Sequence, residues 1–166
     1  MKGYHTTVFA YGQTCSGKTH TMLGSANEPG LSPLIVAYVH DRLEGMQGWK
    51  LSVSYLEIYN ESVNDLIDPS KKNLDVRENR SREIYIEGLS QVEVKTQAQT
   101  MDLLHKGEEQ RIIAETRLNQ QSSRSHTVFR LDLEYLDSDG LTQAVRSSQI
   151  NLVDLAGSEG VSRTRN

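Results

Sequence analysis

The chain carries the stretch Gly12-Gln13-Thr14-Cys15-Ser16-Gly17-Lys18-Thr19, and this stretch decides the fold class. It matches G-x-x-x-x-G-K-[ST] at every fixed position, between a short β-rich run at residues 6–11 and a helical start. Glycines in such a loop let successive backbone N–H groups turn toward phosphate oxygens. Lys18 would reach the β- and γ-phosphates, and Thr19 would offer its hydroxyl to Mg²⁺. We therefore predict an α/β fold in which this phosphate loop joins a strand of a central β-sheet to a flanking helix.

The first half of the chain alternates helical and extended patterns. Ser32 and Pro33 predict the N-cap and first residue of a helix that runs to Gly45. Residues 51–59 predict a strand that is buried on both faces or interrupted by a bulge. Residues 74–77 and 84–86 predict a hairpin with an exposed, charged tip.

The second half continues the same alternation. Thr96 and Gln99 predict a capping box for a helix, and Gly107 is expected to weaken the continuation of that helix toward Leu118. Residues 129–135 alternate apolar and charged, which predicts an antiparallel strand with one wet face. Residues 137–140 predict the turn that leads back to a strand at 150–154.

Composition limits the functions that the chain can have. Its 166 residues include 18 Lys and Arg against 22 Asp and Glu, a net charge of −4, so no basic field for nucleic acid is expected. A single cysteine forms no intrachain disulfide, and no apolar stretch approaches the roughly 20 residues of a membrane-spanning helix. We expect a soluble, cytoplasmic protein without membrane insertion.

Two further polar segments each lie beside a predicted strand. Residues 119–126, Asn-Gln-Gln-Ser-Ser-Arg-Ser-His, precede one, and residues 154–159, Asp-Leu-Ala-Gly-Ser-Glu, follow another. A strand-end aspartate holds Mg²⁺ in many phosphate-loop enzymes, and a nearby glycine can present its amide to a γ-phosphate. The chain thus has three candidate phosphate-facing elements: one loop and two switch segments.

Taken together, these segments resemble the kinesin motor domain. The resemblance covers essentially the whole chain and rests on four segments in family order: residues 8–19, Glu57-Ile58-Tyr59-Asn60-Glu61, residues 122–126 and residues 154–159. It implies the ATP-binding, ATP-hydrolysing core of a microtubule motor. Its branch is open, and the kinetochore-type branch is one candidate.

The resemblance also implies roles for individual residues. ATP would be bound by the loop and the residue after it, with His20 beside the adenine: Gly12, Gln13, Thr14, Cys15, Ser16, Gly17, Lys18, Thr19 and His20. Mg²⁺ would be held by Thr19, by Ser123 and, through a water, by Asp154. Gly157 would sense the γ-phosphate through its backbone N–H, and Arg124 and Glu159 would form an ion pair that closes over ATP.

Partners and extent follow from the same resemblance. The hairpin tip carries Arg77, Arg80 and Arg82, which would face the acidic surface of tubulin in microtubules. The family has further strands before the loop and further helices after Glu159, so residues 1–166 are expected to be a partial motor domain, truncated at both ends. We expect the isolated piece to be unstable or to aggregate, and any oligomer to form through segments outside it.

Other interpretations remain open at this point. A motor-derived adaptor could bind nucleotide without generating force. A small GTPase is a weaker alternative, because the chain has no Asn-Lys-x-Asp segment for reading guanine. Two positions depart from the family pattern: Gly160 replaces a usual arginine and could loosen the second switch, and Leu34 follows Pro33 where arginine is common.

Overall fold

The computed structural model describes residues 4–25, 27–118, 124–138 and 143–159. Residues 119–123 of the first polar segment, Ser122 and Ser123 among them, lie outside these ranges, as do Gly160 and positions 139 and 140 of the predicted turn. The described strands are β1 (Thr6–Ala10), β2 (Trp49–Tyr59), β3 (Ser62–Asp65), β4 (Val76–Glu78), β5 (Ile84–Ile86), β6 (Val92–Val94), β7 (Ser125–Ser138) and β8 (Gln143–Asp154). The described helices are α1 (Lys18–Leu23), α2 (Leu31–Leu43) and α3 (Gln97–Leu118).

Six of the strands form one mixed sheet, which confirms the predicted α/β class. The order is β1-β8-β7-β2-β3, and β6 also pairs with β2. The pairing of β1 with β8 is parallel and places Ala10 opposite Asp154. This register brings the residue at the end of β8 next to the start of the phosphate loop.

The two long predicted strands lie at the centre of the sheet. β2 pairs with β7 in an unbroken register from Trp49 opposite Tyr135 to Tyr59 opposite Ser125, so no bulge interrupts that pairing. In β7 the alternate residues from Ser125 to Tyr135 are buried, and those between them are partly or fully exposed. The predicted alternation with one wet face is confirmed.

The core lies between one face of the sheet and the three helices. Tyr55 of β2 and Phe129 of β7 meet edge to face, with ring centroids 5.2 Å apart and planes at 90°. Met22, Val36 and Leu104, one from each helix, are at most 2% exposed in the same cluster.

Helix α2 begins earlier than the sequence predicts. Its N-cap is Gly30, and Ser32, the predicted cap, is a buried residue within the first turn. Gly30 is fixed there by tertiary contacts: its amide donates to Leu23 O at 3.0 Å, and a Cβ at this position would lie 2.6 Å from neighbouring backbone. Pro33 remains in the first turn, where a missing amide costs nothing.

Helix α3 has the predicted cap but not the predicted weak point. Gln99 N donates to Thr96 Oγ1 at 3.2 Å and Thr96 N donates to Gln99 Oε1 at 3.3 Å, which confirms the capping box. The expected weakening at Gly107 is wrong, because the helix runs unbroken for 22 residues. Gly107 instead lets the Tyr55 ring approach, since a Cβ there would lie 2.2 Å from Tyr55 Cδ1.

The remaining hairpin, β4 with β5, stands apart from the main sheet and has an exposed tip, as predicted. Asn79 organises that tip: its side-chain oxygen accepts from the amides of Ser81 and Glu83 at 2.8 and 2.9 Å. The tip is therefore a defined loop that presents its side chains outward.

Candidate functional site

The phosphate loop forms a tight connection between β1 and α1. Gly17, the N-cap of α1, has φ 87°, a left-handed conformation that glycine adopts at little cost. A Cβ at Gly12 would lie 2.6 Å from Ser16 Oγ, so a larger residue there would displace Ser16. Both glycines are therefore required by the shape of the loop. Cys15, exposed with φ 63°, completes the turn.

Lys18 curls back over this loop. Its Nζ donates to Gly12 O at 3.0 Å and to Gln13 O at 2.8 Å. The ammonium thus sits against the loop backbone, where a positive charge suits a bound phosphate. His20, on the first turn of α1, is exposed.

Thr19 and Asp154, two of the residues predicted to hold Mg²⁺, are in direct contact. Thr19 Oγ1 donates to Asp154 Oδ2 at 2.6 Å, and Asp154 is 4% exposed. Among the described residues, Asp154 Oδ1 is buried and accepts no hydrogen bond. A hydroxyl, a carboxylate and a spare carboxylate oxygen fit Mg²⁺, which binds one or two protein oxygens plus phosphates and waters.

Thr19 and Asp154 do not form a complete metal site by themselves. Within residues 4–25, 27–118, 124–138 and 143–159, no group of three or more His, Cys, Asp or Glu side chains is placed to hold an ion. Thr19 and Asp154 would therefore bind Mg²⁺ together with phosphate oxygens, which is the usual arrangement in nucleotide sites.

Sequence reasoning missed Arg111, which also contacts Asp154. Its Nη1 lies 3.1 Å from Asp154 Oδ2 and 3.7 Å from Glu108 Oε2, and its side chain is 3% exposed. The signal was present in the pattern: Leu104, Gly107 and Arg111 recur at helical spacing, and all three are buried. An arginine on a buried helical stripe implies a buried acidic partner.

The segment after β8 packs onto the phosphate loop. Leu155 N donates to Ala10 O at 3.4 Å and Ser158 N donates to Gly12 O at 3.0 Å. Gly157 lies in the narrow space between these elements, because a Cβ there would lie 2.5 Å from Thr14 Oγ1. The structure therefore brings Gly157 to the loop, as expected for a residue that reads a phosphate.

Glu159 binds the same loop through Thr14. Thr14 N donates to Glu159 Oε2 at 2.8 Å, and the Thr14 hydroxyl donates to Oε1. The bond from the Thr14 hydroxyl has the largest effect, followed by the bond from the Thr14 amide, and both hold the pKa of the Glu159 carboxyl below its ordinary value. The positive charge of Lys18 lowers this pKa by a smaller amount. The carboxylate is thus kept ionised at the mouth of the loop.

The predicted ion pair between Arg124 and Glu159 is not formed in the part of the chain that the structure describes. Arg124 is exposed, and the Glu159 carboxylate is bonded to Thr14 instead. A different contact joins the two switch segments: Ala156 N donates to His126 Nδ1 at 3.1 Å. Ser123, the third predicted magnesium ligand, lies outside the described ranges.

The arginines of the hairpin differ in their surroundings. Arg77 is paired with Asp75 at 3.3 Å and with Glu87 at 2.6 Å, and these partners raise the pKa of its guanidinium. Arg80 and Arg82 are exposed, and neither forms an ion pair with any described residue.

Among the helices that the structure describes, none is both long enough and apolar enough to cross a bilayer.

The chain is similar to known proteins over nearly its whole length. The kinesin motor domain family matches residues 1–166. "Kinesin-like protein KIN-7O" of Arabidopsis thaliana is 45% identical over 172 residues, covering 99% of this chain and 14% of that protein. "Kinesin-like protein KIF13B" of Homo sapiens is 41% identical over 170 residues, covering 98% of this chain and 9% of that protein.

A solved structure is similar over nearly the same span. It is described as "Structure of a fast kinesin: Implications for ATPase mechanism and interactions with microtubules", and it matches with a TM-score of 0.89 and 37% identity. The match covers 99% of this chain and 48% of that one. The chain thus spans about half of that structure and a small part of the two curated relatives.

Proposed function

Because this chain belongs to the kinesin motor-domain family, we propose that it forms the ATP-binding, ATP-hydrolysing core of a microtubule motor. The observation that carries the proposal is the contact between the phosphate loop and both ends of the segment at residues 154–159. Lys18 lies on the loop, Thr19 binds Asp154 at 2.6 Å, and Glu159 binds Thr14. These contacts join residues that phosphoryl transfer needs at one place.

In this proposal the loop and the strand end hold the magnesium nucleotide. The triphosphate is bound by residues 12–19, with His20 beside the adenine. Thr19, Ser123 and Asp154 hold Mg²⁺, which when bound neutralises charge on the β- and γ-phosphates. Asp154 Oδ1 supports this assignment, because it is buried and has no hydrogen-bond donor among the described residues. Buried oxygens normally have a partner, and a magnesium-bound water would supply one here.

The second switch then acts on the γ-phosphate. Gly157 donates its backbone N–H, and Arg124 pairs with Glu159 to orient the attacking water. Because an ionised carboxylate accepts more than one hydrogen bond on each oxygen, this pair can form beside the contacts of Glu159 with Thr14. Catalysis of this kind depends on positioning and charge rather than on a strong base.

Microtubules are the proposed partner, and the motor is proposed to act in the cytoplasm on that part of the cytoskeleton. The hairpin tip supports contact with tubulin, because Arg80 and Arg82 extend from it without intramolecular ion pairs among the described residues. Exposed cations of this kind favour approach to an acidic surface. Oligomerisation would use segments beyond residues 1–166.

The proposal is tested with the complete protein that contains this chain. Lys18→Ala should weaken binding of a fluorescent ATP analogue by about 10- to 150-fold, the effect of one hydrogen bond to a charged group. Glu159→Ala should keep binding but lower microtubule-stimulated phosphate release by about 100-fold or more. Lys106→Ala, which removes an exposed charge that is paired with Asp102 on α3 and not with the loop, is the control.

Three outcomes would contradict the proposal. Displacement of the analogue by GTP as readily as by ATP would contradict ATP selectivity. Nucleotide binding without microtubule-stimulated turnover in the unaltered protein would favour a motor-derived adaptor. Normal turnover in the Glu159→Ala protein would contradict the role of that carboxylate.

A further inference from the structure

The tip of the β4–β5 hairpin carries a serine hydroxyl that the fold does not use. Ser81 is exposed between Arg80 and Arg82, and its Oγ forms no hydrogen bond with any residue that the structure describes. The next serine along the chain differs, because Ser90 Oγ accepts from Lys71 Nζ at 3.0 Å. Ser81 therefore offers a hydroxyl that is open to an enzyme.

The tip is held by hydrogen bonds within itself. Asn79 N donates to Glu83 O at 2.9 Å, and Arg82 N donates to Asn79 O at 3.0 Å. This turn keeps Arg82 at φ 63°, a left-handed conformation that is uncommon for residues other than glycine. Opening of the tip releases that strain, and exposed segments with few tertiary contacts open at low cost. Ser81 can thus be presented in extended form to an active site.

The charges beside Ser81 match a phosphate group. Arg80 and Arg82 are exposed, and neither has an ion-pair partner among the described residues. The carboxylate of Glu83 is bonded to Asn79 Nδ2 at 2.7 Å. A phosphoserine carries about −1.5 to −2 charges at pH 7 and three acceptor oxygens, so two free guanidinium groups would balance it. Flanking cations are also a charge pattern by which kinases select substrates.

We propose that Ser81 is a phosphorylation site for a serine/threonine protein kinase that selects basic segments, and that its phosphate switches off contact between the hairpin tip and microtubules. In this step Ser81 Oγ forms a bond to the γ-phosphorus of ATP, and the bond from that phosphorus to the β,γ-bridging oxygen breaks. The hydroxyl proton passes to a base of the kinase, and ADP leaves. The switching role rests on the proposed function, whereas the modification itself does not.

Mass spectrometry tests the modification. The complete protein is incubated with ATP, phosphatase inhibitors and a lysate of the cells that make it, and is then cleaved after lysine. Residues 73–95 form one such peptide with two serines, so fragment masses assign the phosphate to Ser81 or to Ser90. Phosphate is expected on Ser81 and not on Ser90. Phosphate on Ser90 alone, or on serines outside this peptide alone, would overturn the proposal.

Replacing Arg80 and Arg82 by alanine tests whether the flanking charges direct the kinase. Incorporation at Ser81 should fall by about 10-fold or more, the effect of one lost hydrogen bond to a charged group. Unchanged incorporation would show that the arginines do not select Ser81.

The pairing of the phosphate with the arginines has its own readout. In the complete protein with phosphoserine encoded at position 81, the ³¹P chemical shift should titrate with a pKa below the ordinary value of about 6. Adding Arg80→Ala and Arg82→Ala should return the midpoint toward that value. A midpoint that both proteins share would contradict the pairing.

Microtubule cosedimentation tests the switch. Phosphoserine at position 81 cancels the charge of both arginines, so the dissociation constant should rise by at least the roughly 2- to 30-fold expected for losing two exposed charge contacts. Treatment of the same protein with a phosphatase should restore binding. The control is phosphoserine at Ser147, an exposed residue of β8 outside the hairpin, which should change binding less.

The outcomes separate this proposal from the proposed function. If the unaltered protein does not bind microtubules, the proposed function and the switching role fail together, while phosphate on Ser81 would still support the modification site. If the unaltered protein binds microtubules and phosphoserine at position 81 leaves the dissociation constant unchanged, the switch alone is overturned. An equal effect of phosphoserine at Ser147 would also overturn it.

Discussion

Thr14 and Glu159 are separated by 145 positions in sequence, yet the amide of Thr14 donates to Glu159 Oε2 at 2.8 Å. The Thr14 hydroxyl binds the other carboxylate oxygen. The Glu159 carboxylate therefore accepts a hydrogen bond from a backbone N–H of the phosphate loop. Backbone N–H groups in such loops also bind phosphate oxygens. Glu159 and a bound phosphate would compete for that part of the loop.

The contact predicts a pH dependence at the loop. Because the pKa of Glu159 lies below the ordinary 4.5 in the folded protein, the contact adds stability above that pH. The stabilisation is lost as pH falls through the folded-state pKa. The amide chemical shift of Thr14, followed by NMR, should titrate with a midpoint below 4.5.

Variants of acidic residues check this titration. In the Glu159→Gln protein, the amide chemical shift of Thr14 should no longer change with pH in this range. Glu44→Gln, which changes an exposed residue at the end of α2, should leave the titration of Thr14 unaltered. A midpoint at or above the ordinary glutamate value would show that Thr14 does not stabilise the ionised carboxylate.

Gly107→Ala should destabilise the protein even though alanine favours helix. The added methyl would lie 2.2 Å from Tyr55 Cδ1, and overpacking of this kind costs about 1–3 kcal/mol. The gain in helix propensity is about 1 kcal/mol, so the free energy of unfolding should fall by up to about 2 kcal/mol. Urea unfolding of the complete protein measures this change.

The control for Gly107→Ala lies two positions further along α3. Glu109→Ala changes an exposed residue and should alter the free energy of unfolding by about 0.5 kcal/mol or less. A more stable Gly107→Ala protein would mean that Tyr55 does not restrict this position.

Replacing both Arg80 and Arg82 by alanine should weaken binding to microtubules. Each is exposed, and exposed charge pairs contribute little individually, so the dissociation constant should rise by about 2- to 30-fold for the two together. The difference should shrink as salt is added, because salt screens exposed charges. Cosedimentation with polymerised tubulin at two salt concentrations measures it.

Arg77→Ala is the matched control for the hairpin. Arg77 carries the same charge, but its guanidinium is paired with Asp75 and Glu87. Its loss should therefore change microtubule binding less than the double replacement does. An equal effect of Arg77→Ala would indicate that microtubules respond to net charge rather than to the tip residues.

The sequence predicted the parts of the site that local chemistry determines. The phosphate loop needs glycines and a lysine at fixed spacing, and in the structure Lys18 bonds the loop backbone and Thr19 bonds Asp154. The β7 strand and the capping box of α3 were likewise predictable, because burial pattern and neighbouring hydrogen bonds define them.

The errors occurred where contacts between different elements of the fold determine local structure. Gly30 caps α2 because it packs against residues 22–24, and no local pattern contains that contact. Gly107 stays helical because the Tyr55 ring needs its space. Arg111 was missed for the same reason, since its partner Asp154 lies 43 positions further along the chain.

Helix α3 runs without a break from Gln97 to Leu118, and Arg111 lies toward its C-terminal end. At a rise of about 1.5 Å per residue, the Gln97 end is about 21 Å from Arg111 and the Leu118 end about 10 Å. A stiff rod turning at Arg111 would therefore move its far end about twice as far as the end nearest the first switch. With the buried arginine as the pivot, a displacement at the Leu118 end would be about doubled at the Gln97 end.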